Sequence, residues 1–281
     1  MDELGTILGV WAHPDDEAYL TAGIMARAVR NGSRVVCVTA TRGEGGSMDE
    51  EKWPPESMGE VRTKELERSL QILGVDEHVW LDMRDVDMDT GLPDEGYERI
   101  RELVADVRPD TILTFGPDGM TDHAAHKDVS SWATKALHEA GKPGSRVLYA
   151  TVTPEWAAEI LPVWEPFNVF RPGTPPITPR EELAVYYELP ADILERERLT
   201  ERAAAAGDRL LRGLRGLESM DGVGNVRGLG LMAAVEIVSD KTTRQQFPPE
   251  AGLTQKLTEA MLDRGLYTRV VMDCICLAPP L

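Results

Sequence analysis

The stretch Thr6-Ile7-Leu8-Gly9-Val10-Trp11, followed by Ala12-His13-Pro14-Asp15-Asp16-Glu17, sets the fold of this 281-residue chain. Six residues of short apolar text fit a strand buried on both faces. The Pro14 turn and two acids then open a helical pattern from Asp16 to Asn31, which Gly32 stops. Arg34 to Thr39 reads as a second strand and Glu56 to Leu73 as a helix ending at Gly74. A short strand, His78 to Leu81, precedes a helix from Tyr97 to Val107 that Pro109 closes. Thr111 to Phe115 is a strand, Ala125 to Ala140 a helix, and Arg146 to Thr151 a further strand. Apolar strands alternating with helices predict an α/β fold with a mostly parallel sheet covered by helices on both faces. In such sheets ligands gather beyond the carboxyl ends of the strands.

Two segments lie where that rule points. One is Ala12-His13-Pro14-Asp15-Asp16-Glu17. The other is Gly116-Pro117-Asp118-Gly119-Met120-Thr121-Asp122-His123-Ala124-Ala125-His126, just past the Thr111 to Phe115 strand. Together they hold three of the chain's five histidines. Zinc takes imidazole nitrogens and carboxylate oxygens, and a catalytic site keeps a position open for water. His13, Asp16 and one of the two later histidines supply such a set. Asp15 is then a spare carboxylate able to take a proton, and the other histidine, if protonated, a group to face a developing oxyanion. An isolated His-Pro-Asp-Asp is often only a turn in which Pro fixes φ and Asp caps the next helix. The coincidence of both loops favours the metal reading.

Composition narrows the classes of partner. A formal net charge of -18 opposes binding to nucleic acid, and 42% hydrophobic residues suffice for a buried core. Of three cysteines, Cys37 lies in an apolar run and reads as a core thiol. Cys274 and Cys276 form a lone Cys-x-Cys without a second pair, which argues against a zinc knuckle and against a disulfide framework. No apolar run has the length of a membrane span or a leader. These features lead us to expect a cytoplasmic protein with no membrane partner, and they are compatible with a homo-oligomer. Gly43-Glu44-Gly45-Gly46-Ser47 lacks the Gly-Lys ending of a phosphate loop and reads as a flexible site loop, with Arg42 and Glu44 able to touch substrate. The acidic stretch from Asp82 to Asp94 reads as a solvated loop beside the cleft.

Ala12-His13-Pro14-Asp15-Asp16-Glu17 resembles the signature of the PIG-L/LmbE-like deacetylases. Thr41-Arg42-Gly43-Glu44, Arg62-Thr63-Lys64-Glu65-Leu66 and the Gly116 to His126 loop match further stations of that family in order, over about residues 4 to 190. The resemblance implies a Rossmann-like fold, one Zn2+ per chain, and hydrolysis of the N-acyl group of an N-acetylglucosaminyl-type small molecule. Carried over by position, it makes His13, Asp16 and His126 the zinc ligands, Asp15 the general base and His123 the histidine facing the oxyanion. The second loop departs from the family's usual Gly-His-Pro-Asp-His: Asp122-His123-Ala124-Ala125-His126 lacks the acid that would hold the first histidine charged and oriented. Asp122 and Asp128 are the nearest substitutes.

From Thr153 to Pro190 the text is rich in proline and aromatics and is expected to be an irregular cap or connection. A charged amphipathic helix from Glu195 to Leu217 follows. Beyond it come a glycine-punctuated strand from Val226 to Val238, a helix from Leu253 to Leu262 and a strand from Tyr267 to Leu277. Val223-Gly224-Asn225-Val226-Arg227-Gly228-Leu229-Gly230-Leu231-Met232 and Cys274-Ile275-Cys276-Leu277-Ala278-Pro279-Pro280-Leu281 resemble the small C-terminal domain of class III pyridoxal-phosphate aminotransferases. No lysine sits in the setting of that family's cofactor lysine, so transaminase chemistry is not expected. The chain thus divides into a deacetylase-like domain, 1–192, and an aminotransferase-like fragment, 193–281, forming a small α+β segment. Ala125 and this C-terminal fragment also sustain an alternative, a catalytically weak or silent metal-binding scaffold with a fused appendage.

Overall fold

β1 (Ile7–Trp11) is buried at every residue and forms the middle of a five-stranded sheet ordered β3-β2-β1-β4-β5. This computed structural model describes residues 4–47, 54–85, 87–165, 169–188, 199–264, 266, 268–271 and 274–277. All neighbours in the sheet pair in parallel: β2 (Val35–Thr41) beside β1, β3 (Glu77–Met83) outside β2, β4 (Thr111–Thr114) beside β1, and β5 (Arg146–Tyr149) at the far edge. The strands are connected through α1 (Asp16–Arg30), α2 (Pro55–Leu73), α3 (Glu95–Val107), the single turn α4 (Gly119–Asp122) and α5 (Ala124–Ala140). Chain order reverses between β1 and β4, so the crevice of this Rossmann-like sheet opens where their following loops meet.

Burial drives the arrangement. Ile7, Leu8, Val10, Trp11, Ile112 and Phe115 are fully buried, and each such side chain contributes roughly 1.5–3 kcal/mol through loss of apolar surface to water. Trp11 meets Phe115 edge to face at 5.3 Å, tying the ends of β1 and β4 together beneath the crevice. The buried face of α1 changes character along its length, from Asp16, Glu17 and Thr21 to Met25 and Ala28. Its polar first turn faces the crevice and its apolar body covers the sheet.

The chain separates into two compact units, Met1–Ile160 with Phe170–Tyr187, and Leu161–Val169 with Glu188–Leu281. The second carries an antiparallel sheet ordered β6-β7-β9-β8, formed by β6 (Val223–Leu229), β7 (Met232–Ile237), β8 (Arg269–Val271) and β9 (Cys274–Leu277). Val223, Val226 and Val235 make its core, against Leu211 and Leu214 of α7 (Leu199–Arg215). α8 (Leu253–Leu262) precedes β8.

Three expectations need correction. The run from Val226 to Val238 is two strands, turned by Gly230 at φ 55. The Tyr267 to Leu277 stretch likewise holds two paired strands, and Tyr267 itself lies outside the described residues. α6 (Pro154–Trp164) occupies text expected to be irregular. Pro154 opens that helix, where a missing N–H is cost-free, and Pro162 lies inside it near the C-terminal end. Residues 48–53, 189–198 and 278–281 lie outside the described residues. No described helix is long and apolar enough to cross a membrane. All three cysteines are free thiols, with Cys37 buried.

Candidate active site

The loops after β1 and β4 bring His13, Asp16, His123 and His126 together. One nitrogen from each histidine lies within 4.8 Å of the others. His13 Nδ1 is 3.1 Å from His126 Nε2. Asp16 flanks both nitrogens through different oxygens, Oδ2 3.7 Å from His13 Nδ1 and Oδ1 3.6 Å from His126 Nε2. A cation bound by nitrogen and oxygen donors at about 2.0–2.2 Å has tetrahedral edges of about 3.3–3.6 Å. Separations of 3.1, 3.6 and 3.7 Å, the last two to different Asp16 oxygens, lie near those edges, and such nitrogen and oxygen donors suit a divalent ion.

The ring orientations are held from behind. His126 Nδ1 donates to the Gly119 carbonyl at 2.8 Å, which leaves the Nε2 lone pair facing the centre. Phe115 stacks on the same ring at 4.1 Å. Gly119 at φ 71 and Met120 at φ 63 make the tight turn that presents this carbonyl. His13 Nε2 faces Asp85 Oδ1 at 3.2 Å, which turns Nδ1 inward. Asp16 Oδ2 also accepts the His13 amide N–H at 2.8 Å.

Asp85 is the residue that sequence reading missed. It was placed in a solvated acidic loop, yet it is buried and its second oxygen accepts the Gly45 N–H at 3.0 Å. Only the strand order that sets β3 beside β2 carries it to His13, 72 residues away in sequence.

Burial alone would lower the His13 pKa, but the Asp85 hydrogen bond and the Asp16 charge outweigh it and the net shift is upward. Burial lowers His126 to about 3, with the His13 charge adding to the effect. One proton between these two nitrogens thus balances the buried carboxylates, and a bound cation would displace it. Burial likewise lowers His123 to about 3, followed by the charges of His13 and His126. The shift favours the neutral imidazole over the protonated form that an oxyanion partner could take. Its Nδ1 accepts the Ala125 N–H at 3.3 Å, so the donor is Nε2. Neither expected substitute for the missing acid reaches it: Asp122 pairs with Lys127 and Asp128 accepts the Leu92 N–H.

Asp15 does not cap α1 with its side chain. Its carboxylate pairs with Arg62 at 2.8 Å, and Arg62 also donates to the Pro14 and Gly43 carbonyls. Desolvation by the surrounding protein raises Asp15 to about 6; the Asp16 charge adds to this and Arg62 opposes it. The group stays ionised at neutral pH and close enough to it for proton exchange.

Arg42 and Glu44 stand apart from the histidines. Glu44 accepts the Arg42 amide N–H, and the Arg42 guanidinium pairs with Asp82 and lies 4.4 Å over the Trp80 ring. With Thr63, Lys64 and Arg84 they line a cavity of about 620 Å³ that none of the three histidines lines.

Fold and site together define a Rossmann-like α/β protein with a histidine–aspartate centre able to hold a divalent metal at the switch point of its sheet. The profile of the family described as GlcNAc-PI de-N-acetylase, PIG-L, matches residues 8–137, and that of class-III aminotransferases matches residues 183–281. A 1D-myo-inositol 2-acetamido-2-deoxy-alpha-D-glucopyranoside deacetylase from Saccharomonospora viridis is 30% identical over 217 residues, 65% of this chain and 80% of the relative. The protein of the same name from Kineococcus radiotolerans is 35% identical over 174 residues, 52% of this chain; the match spans about half (48%) of that relative's length. Among solved structures, the N,N'-diacetylchitobiose deacetylase from Pyrococcus horikoshii aligns with a TM-score of 0.44 and 19% identity, covering 73% of this chain and 79% of that one. The chain belongs to the PIG-L family.

Proposed function

We propose that this chain is a zinc-dependent N-deacetylase acting on an N-acetylglucosaminyl-type small molecule, with one Zn2+ held by His13, Asp16 and His126. The observation that carries the reading is the gathering of His13, His126 and Asp16 donors, 3.1, 3.6 and 3.7 Å apart, at the carboxyl ends of β1 and β4. When bound, zinc supplies Lewis acidity and lowers the pKa of a coordinated water towards ~7. Asp15 takes the proton of the attacking water and returns it to the departing amine. Neutral His123 donates Nε2–H to the carbonyl oxygen as negative charge develops there. Arg62 holds the Asp15 carboxylate in line, and Asp85 fixes the His13 ring. Arg42 and Glu44, on the rim of the neighbouring cavity, contact the sugar's substituent.

The deacetylase domain is assigned to 1–192 and the aminotransferase-like appendage to 193–281, in a cytoplasmic protein. The names of the relatives support an inositol conjugate as the first substrate to try. The test is acetate release from N-acetylglucosaminyl-inositol by the zinc-loaded protein beside Asp15→Ala. Wild-type turnover is expected, with a loss of about 10²–10⁴-fold in the variant while zinc is retained. An active variant would refute the role of Asp15. Bound zinc without acetate release from any N-acetyl amino sugar would favour the scaffold reading, for which Ala125 in place of an acid is the observation.

A further inference from the structure

Asp15 adopts a backbone conformation that L-residues rarely take, φ 118 and ψ -28, just before α1 begins. Such a residue persists only where its surroundings hold it. Two groups do so here. Arg62 donates to the Pro14 carbonyl at 2.5 Å and to Asp15 Oδ2 at 2.8 Å. The other is Glu17, whose side chain is fully buried and whose Oε2 accepts the Asp15 amide N–H at 3.0 Å. Its other oxygen, Oε1, accepts the Ser69 hydroxyl at 3.2 Å. Arg62, Leu66 and Ser69 are spaced along one face of α2, so that helix presents a guanidinium, a buried leucine and a hydroxyl to this turn.

A buried carboxylate is costly unless its oxygens find donors. Glu17 spends one oxygen on a neighbouring helix and the other on a strained amide two residues back. A residue wanted only for packing would be apolar here, like Met25 and Ala28 further along the same buried face. We infer that Glu17 is a positioning residue: by gripping the Asp15 amide while anchored to Ser69 of α2, it fixes the direction in which the Asp15 carboxylate points at the reacting amide. The inference rests on the deacetylase reading for its kinetic part. Glu17 touches neither substrate nor metal ligand donor atoms and acts through Asp15.

The test compares Glu17→Leu with Glu17→Gln in the zinc-loaded full chain. Gln can accept the Asp15 N–H through its oxygen and donate to Ser69 Oγ through its amide; Leu, of similar size, can do neither. Misplacing a reacting group by about 1 Å costs on the order of 10²-fold, so kcat should fall about 10–100-fold in the Leu variant. KM and zinc content should stay unchanged, and Gln should restore most of kcat. Amide hydrogen exchange at Asp15 should speed up in the Leu variant alone. A helix cap with no positioning role would lower stability and leave kcat intact, and that result would overturn the inference. So would a Gln variant as slow as Leu, which would make charge the requirement, or loss of zinc in the Leu variant. A wild-type protein that releases no acetate would refute the deacetylase reading instead, and the Asp15 exchange rates would still decide whether Glu17 holds that amide.

Discussion

Replacing Asp85 by Asn tests whether the histidine cluster is a supported metal site or a chance gathering of side chains. The wild-type carboxylate faces His13 Nε2 at 3.2 Å through one oxygen and accepts the Gly45 N–H at 3.0 Å through the other. Asn keeps the size but has a single oxygen. Whichever donor it satisfies, its NH₂ group faces the other at about the same distance, so one hydrogen bond becomes a donor–donor contact. Loss of a hydrogen bond to a buried charged group costs about 1.5–3 kcal/mol. Loss of a carboxylate behind a metal-binding histidine lowers metal affinity about 10–100-fold, or about 1.4–2.7 kcal/mol. The first figure bears on folding stability and the second on zinc affinity. Titrating zinc-loaded protein with a competing chelator near pH 7 measures it directly. An affinity within about twofold of wild type would refute the claim that Asp85 orients His13.

Two further predictions concern parts of the chain away from the metal. On α7, a Cβ at Gly207 would meet the Gly230 carbonyl oxygen at 1.9 Å, whereas one at Gly213 would meet nothing within 4 Å. Gly213→Ala should therefore stabilise by up to ~1 kcal/mol through helix propensity, and Gly207→Ala destabilise by about 1–2 kcal/mol. Hydrogen exchange of the α7 amides in the full chain reads both, and equal effects would contradict the packing. His78 is held down to about 4, by burial and then by the Arg42 charge, against an unfolded value near 6.5. As pH falls, the unfolded chain takes up this proton first. Stability is therefore complete above about pH 6.5 and declines towards pH 4, by about 1–2 kcal/mol once solvent screening at a partly exposed ring is allowed for. Gln keeps a partner for Thr39, so His78→Gln should flatten this part of a urea-midpoint profile, and an unchanged slope would refute the account.

The parallel sheet was legible because each strand is a short apolar run and each helix ends in a recognisable stop, such as Gly32 or Gly74. The two loops were legible because they fall just past β1 and β4, the strands flanking the switch point. Asp85 was hidden because its role depends on lateral strand order, and a sequence rich in aspartate from Asp82 to Asp94 looks solvated. Its neighbours Asp82, Asp87 and Asp89 are indeed exposed; only Asp85, two residues past the end of β3, turns inward. The hairpin of β6 and β7 was read as one strand because Leu229 and Met232 continue an apolar run across Gly230, and only its positive φ reveals the turn. The neutral state of His123 comes from burial beside two other imidazoles, a property of the assembled site and of neither loop alone.

The central claim is that His13, Asp16 and His126 hold one divalent metal. The most direct measurement is the metal content of the purified protein by mass spectrometry, beside His13→Ala with its fold checked by circular dichroism. The account predicts about one zinc per wild-type chain and none in a folded variant. A folded wild-type protein that binds no zinc when supplied with it, or a variant that binds as much as wild type, would contradict it.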